Sequence, residues 1–72
     1  SKVDEYIREQ LSSETGKEKL VPAPTKQDGT KANAKDIQEN AKAGLYKKGQ
    51  IIEYQDGRGG IQYSLYTGQS LI

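Results

Sequence analysis

Eleven lysines and arginines and ten aspartates and glutamates supply the charged chemistry of this 72-residue chain, and no histidine or cysteine accompanies them. Losing both types removes the usual general base at neutral pH, the thiol nucleophile and the two commonest zinc ligands. The expectation is therefore a protein that is not an enzyme and holds neither a metal nor a cofactor. Single carboxylates such as Glu53 and Asp56 have no partner at a spacing that suits acid and base work, so they read as surface groups. The positive groups are unevenly placed: residues 26 to 48 carry six lysines against Asp28, Asp36 and Glu39, and Arg58 stands alone among glycines in "DGRGG". A mildly basic segment attracts phosphate, but a formal net charge of +1 falls short of the domain-wide basicity of a strong nucleic-acid binder.

These groups must be held by a small scaffold. Thirteen residues are Leu, Ile or Val, below the ~20% level at which disorder competes with folding. The near-neutral charge and five tyrosines pull back toward order, because disorder by composition needs high net charge as well as low hydrophobicity. The expectation is a single small domain, 1–72. Its start at Ser1 and its apolar end, Leu71-Ile72, suggest a processed chain or a fragment of a longer protein. No apolar run approaches the ~18 residues of a membrane span, and no signal-peptide pattern opens the chain, so the expected address is cytoplasmic, with no membrane partner and no small-molecule substrate.

"SKVDEYIREQLSS" places Val3, Ile7 and Leu11 on one stripe and predicts a helix with Ser1 as its cap and Asp4 at the third position. Ser12, Ser13 and Thr15-Gly16 should end it. From residue 16 to 31 two prolines and Asp28-Gly29 read as a long loop, with Leu20 and Val21 pinning its start. "NAKDIQENAKAG" predicts a second helix over 33–43, capped by Asn33 and stopped by Gly44, with Ala34, Ile37, Ala41 and Leu45 inward and Ile37 deepest. Lys35, Glu39 and Lys42 share its solvent face and read as a salt-bridge ladder. "IIEYQDGRGGIQYSLYTG" at 51–68 predicts an antiparallel hairpin. Alternation is taken to put Ile52, Tyr54, Ile61, Tyr63 and Leu65 on the packed face, with Glu53, Gln55, Gln62, Ser64 and Tyr66 facing water.

The fold class expected is thus small α+β: two helices, a long loop at 16–31 and a C-terminal hairpin packed on Val3, Ile7, Leu11 and Ile37. A lone hairpin is marginal. A third strand from residues 19 to 23, helix packing or a second chain must complete it.

The stretch "KGQIIEYQDGRGGIQYSLYT" resembles the wing of winged-helix DNA-binding domains, in which a helix passes through a Gly-containing turn into a strand, a Gly/Arg tip and a returning strand. The match covers about residues 44–67. It implies a DNA-binding module in which the helix before the wing, 33–43, is itself the reader. Lys35, Gln38 and Lys42 would then face the groove or its phosphates, Lys47 and Lys48 would support them, and Arg58 would enter the minor groove. "YTGQS" at 66–70 with "IEY" at 52–54 is also similar to the two strand motifs of GIY-YIG nucleases, but the first motif lacks its glycine and no nuclease is implied. "GRGG" follows no buried strand into a helix and has no Gly-Lys-Ser/Thr beside it, so no nucleotide loop is implied either.

Two partner classes follow. One is DNA, met by the basic helix and Arg58. The other is a protein partner or a second copy, met by the hairpin with Tyr46, Tyr66, Leu71 and Ile72.

Overall fold

Ser1 accepts a hydrogen bond from the Asp4 amide at 3.2 Å and so caps α1 (Lys2–Leu11). Asp4 and Glu5 occupy the first turn, where the helix dipole favours acids. Only Ile7 of this helix is fully buried. The computed structural model describes residues 1–72. The serines that were expected only to end α1 also start another element: Ser13 caps a single further turn, α2 (Glu14–Lys17), by accepting from the Gly16 amide at 2.9 Å. Gly16 is required there. A Cβ at this position would lie against the Gln10 carbonyl and 2.6 Å from Ser13 Oγ, so no larger residue lets α2 fold back on α1.

The expected loop at 16–31 is interrupted by a strand. β1 (Leu20–Val21) pairs in parallel with β2 (Ile51–Gln55), Leu20 opposite Ile51 and Val21 opposite Ile52. This is the third strand that a marginal hairpin needs. Farther on, Thr25 and Lys31 form an antiparallel bridge, and Asp28 Oδ1 accepts from the Thr30 amide at 3.0 Å to close the tip between them.

α3 (Ala34–Lys42) carries the full reciprocal cap expected of its sequence. Asn33 Oδ1 accepts from the Asp36 amide and Asp36 Oδ2 from the Asn33 amide, both at 3.0 Å. Gly44 ends the helix with φ +76, a conformation that costs an L-residue but not glycine. Leu45, assigned to the inward stripe, is instead 65% exposed, because the chain leaves helical geometry at Gly44. The ladder on the outer face does not form either. Asp36 pairs with Lys26 at 3.3 Å, while Lys35, Glu39 and Lys42 make no ion pair. Exposed i, i+4 pairs are weak and lose side-chain entropy on forming.

The hairpin of β2 and β3 (Ile61–Leu65) has the expected strands and a different sidedness. Ile52 stands opposite Ser64 and Tyr54 opposite Gln62, whereas Ile51 faces Leu65 and Glu53 faces Tyr63. Residues directly opposite share a face. Ile52, Tyr54, Gln62, Ser64 and Tyr66 therefore share one face, with Ile51, Glu53, Ile61, Tyr63 and Leu65 on the other. The reason is loop parity: five residues, Asp56 to Gly60, separate the strands, and an odd count pairs even numbers with even. A one-residue difference in the loop reverses every side chain. Alternation along each strand was legible; the relation between the two strands was not.

The sheet order is β1-β2-β3, with α3 packed against β2 and α1 against β3. Ile37 of α3 packs with Ile52, Tyr66, Ala23 and Ala32, and Val21, Ala41, Tyr46, Tyr54 and Leu71 surround this cluster. Strand alternation alone places Tyr66 toward water. It is only 9% exposed, stacked edge-on against Tyr46 at 6.1 Å, with its hydroxyl donating to the Gly68 carbonyl at 3.1 Å. α1 packs on β3 from the opposite face, and Ile51 and Ile7 are buried on that side. No helix is long and apolar enough to cross a membrane.

Candidate functional site

The hairpin tip is a built turn. Asp56 Oδ2 accepts from the Gln62 side-chain amide at 3.1 Å, and Oδ1 accepts from the Arg58 and Gly60 amides at 2.8 and 2.9 Å. The Asp56 amide in turn donates to the Gly60 carbonyl at 2.8 Å. Of the three glycines, Gly59 is the one at positive φ, +83. Arg58 is left exposed at the apex, with no carboxylate in ion-pair range.

These donors hold the Asp56 carboxyl below the usual carboxylate range, Gln62 first and then the two backbone amides. Asp4 is lowered by the Ser1 hydroxyl and the terminal ammonium, Asp28 by the Thr30 hydroxyl and amide, and Asp36 chiefly by the Asn33 amide. A carboxyl whose pKa is lower in the folded state stabilises above its unfolded pKa, and that contribution is lost as pH falls through the folded value. The melting temperature is expected to stay level from neutral pH to about 5 and to fall below about 4. Asp56→Asn should lower it at pH 7 and flatten the acid limb, as read by circular dichroism melts across pH. An unchanged acid limb in the variant would remove Asp56 from this account.

The sequence-nominated cations fall into separate groups. α3 runs antiparallel to β2, since Asn33 bridges to Gln55 at its start and its end leads back to Ile51. Lys35 therefore lies toward the hairpin tip and Lys42 toward the opposite end. Gln38 and Lys42 line a shallow groove of about 260 Å³ with Ala41, Gln69, Ser70 and Leu71. Lys48 lies beside Gly68, and the Lys47 amide is held by Gln50 Oε1 at 2.8 Å. A five-residue strand is ~17 Å long, so Lys47 and Lys48 are about that far from the loop that carries Arg58. The nominated partner residues also divide. Tyr46 and Leu71 pack on the core, Tyr66 is part of it, and Ile72 is exposed.

A second feature escaped the residue-by-residue reading. β3 is an edge strand. Its even-numbered residues face β2 in the ladder, while Leu65 exchanges two backbone bonds with Ile72, both 3.0 Å, on the outer side. By the two-residue period of a strand, the N–H and C=O groups of Ile61 and Tyr63 also point outward. Ile61 is 41% and Tyr63 36% exposed. Beside this edge runs a groove of about 490 Å³ between α1 and β3, walled by Ile7, Leu11 and Tyr63, with Asp4, Arg8, Ser12 and Gln62 around it. One signal for it was present in the sequence: every charged side chain lies within residues 1–58, and the last fourteen residues carry none. Edge strands are ordinarily blunted by charge or proline. This one is not.

Comparison with protein-family models, with curated proteins and with solved structures finds no match to this chain.

Proposed function

We propose that this protein is a non-enzymatic docking module that takes an extended segment of another polypeptide as a fourth strand on the β3 edge. The observation that carries this reading is the uncharged, outward-facing backbone of Ile61 and Tyr63 beside a groove walled by Ile7, Leu11 and Tyr63 and rimmed by polar side chains. In strand addition, main-chain hydrogen bonds supply affinity and alternate side chains enter pockets for specificity. Here the alternate side chains would meet Ile7, Leu11 and Tyr63. Leu71 and Ile72 already begin such a strand against Tyr66 and Leu65 and mark its direction, antiparallel to β3.

The test is selection of binders from a random peptide library, followed by amide chemical-shift mapping. Shifts are expected at Ile61, Tyr63, Ile7 and Leu11. Tyr63→Pro removes an outward N–H that β2 does not use, a position where an edge strand tolerates proline. It should abolish binding while leaving the melt cooperative. Peptides that map elsewhere, or that bind the proline variant equally well, would end this reading.

A second reading, a winged-helix-like DNA-binding module, is favoured by one observation: Lys35, Lys42, Lys47, Lys48 and Arg58 are all exposed and none forms an ion pair. The same mapping with an A·T-rich duplex at two salt concentrations separates the two. DNA binding would shift Lys35, Gln38, Lys42 and Arg58 and weaken log-linearly with salt, whereas strand addition would respond little.

A further inference from the structure

The geometry points to a second copy of this chain as the strand that occupies the β3 edge, in an antiparallel two-fold pairing centred on Gln62. This rests on the strand-addition reading and names its partner. Three features of the edge make it self-complementary. The outward-facing residues are Ile61 and Tyr63, so an antiparallel copy centred on Gln62 sets each Ile61 opposite the Tyr63 of the other copy. Those two pairs exchange four backbone hydrogen bonds. Aromatic and β-branched side chains directly opposite one another are among the favourable cross-strand pairs, and both pairs fall on the face that α1 covers.

The ends of the strand set the limits of the overlap. At one end Ile72 already occupies the outer side of Leu65. The residues of the second copy that come nearest to it are Gly59 and Gly60, which carry no side chain. In this register Gly59 of the second copy falls opposite Leu65, where Ile72 already sits, so the pairing is confined to Ile61 through Tyr63 and the copy's tip loop turns aside at its glycines.

Charge is the third feature. No charged residue lies on β3 or after it, so nothing repels an identical strand. The α1 wall presents Asp4 and Arg8 to the groove, an acid and a base one turn apart. A two-fold axis between the paired β3 strands sets the two α1 helices antiparallel on the same face, each carrying this acid and this base along the groove. The contact is small, and interfaces of this class are weak and transient, so association is expected in the micromolar-to-millimolar range of chain concentration.

The chain has no cysteine, so one introduced thiol reports its own neighbourhood alone. At a non-hydrogen-bonded antiparallel pair the two Cα atoms are about 4.5 Å apart, within the ~4.4–6.8 Å that a disulfide spans. Gln62→Cys is therefore expected to form a covalent dimer under mild oxidation at least about tenfold faster than Gln69→Cys, an exposed control away from the pairing, because the pair is held within disulfide geometry. Wild type should show concentration-dependent association by sedimentation velocity, and Tyr63→Pro should remain monomeric with a melt that is still cooperative. Equal cross-linking rates overturn the inference whether or not association is seen, and so does a monomer at every concentration. If peptides selected from the library still shift Ile61 and Tyr63 in that case, the docking reading stands with a different partner. If they do not, both fall.

Discussion

Alanine at position 66 is expected to destabilise the fold by about 3 to 5 kcal/mol, the range for removing a large buried ring. Small domains typically have no more than about 3 to 5 kcal/mol in total, so Tyr66→Ala should be largely unfolded at room temperature. Tyr66 closes the cluster of Ile37, Ile52, Ala23 and Ala32, and its ring meets Tyr46 edge-on at 6.1 Å. Removing it leaves a cavity that the thin sheet cannot collapse to fill. Tyr66→Phe separates the ring from the hydroxyl. It should cost about 1 kcal/mol, the net worth of the single bond to the Gly68 carbonyl. Urea denaturation of the three proteins, followed by circular dichroism, measures both values. A stability for Tyr66→Ala within about 0.5 kcal/mol of wild type, as ordinary surface changes give, would return this ring to the solvent face on which strand alternation alone had placed it.

Ile37→Ala is expected to cost about 2 to 5 kcal/mol and Ile37→Val about 0.5 to 1.5 kcal/mol, following the volume removed. At 1% exposure Ile37 is the one fully buried residue of α3, and its contacts to Ile52 and Tyr66 attach the helix to the sheet. The informative comparison is with Leu45→Ala. Leu45 fits the same stripe in the sequence, yet it is exposed beyond Gly44, so its loss should stay within about 0.5 kcal/mol. Equal destabilisation by the two alanines would mean that α3 continues through Gly44. Tyr63, which the hairpin pattern had grouped with Ile37 in the core, is 36% exposed, and its truncation should cost far less than that of Tyr66.

How much of the site was legible can be judged residue by residue. Arg58 at an exposed glycine-rich apex, and Lys35, Gln38 and Lys42 on the open side of α3, are where the sequence placed them, because each depends on local geometry alone. That Lys47 and Lys48 lie a strand's length from the Arg58 loop depends on the course of the whole chain. The groove under α1 was invisible for the same reason. Tyr63 is more than fifty residues from Ile7 and Leu11 in sequence, and only the packing of α1 on β3 brings them together.

The sequence by itself determined both caps and both principal helices. Ser1 with Asp4, and Asn33 with Asp36, are hydrogen-bonded pairs three residues apart, so the information for them lies within a single turn. It determined the two hairpin strands as well, since alternation and a glycine-rich break are local patterns. Three features were decided by the tertiary structure. The first is which face of the hairpin meets α3: the packing of Ile52 on Ile37 carries Tyr66, which shares that face, into the core. The second is the parallel docking of Leu20 and Val21 on Ile51 and Ile52, which depends on partners thirty-one residues away. The third is the choice of β3 as the open edge. Such choices are settled by which arrangement buries Ile37, Ile51 and Ile52 together, a condition on the whole chain that no short window of sequence contains.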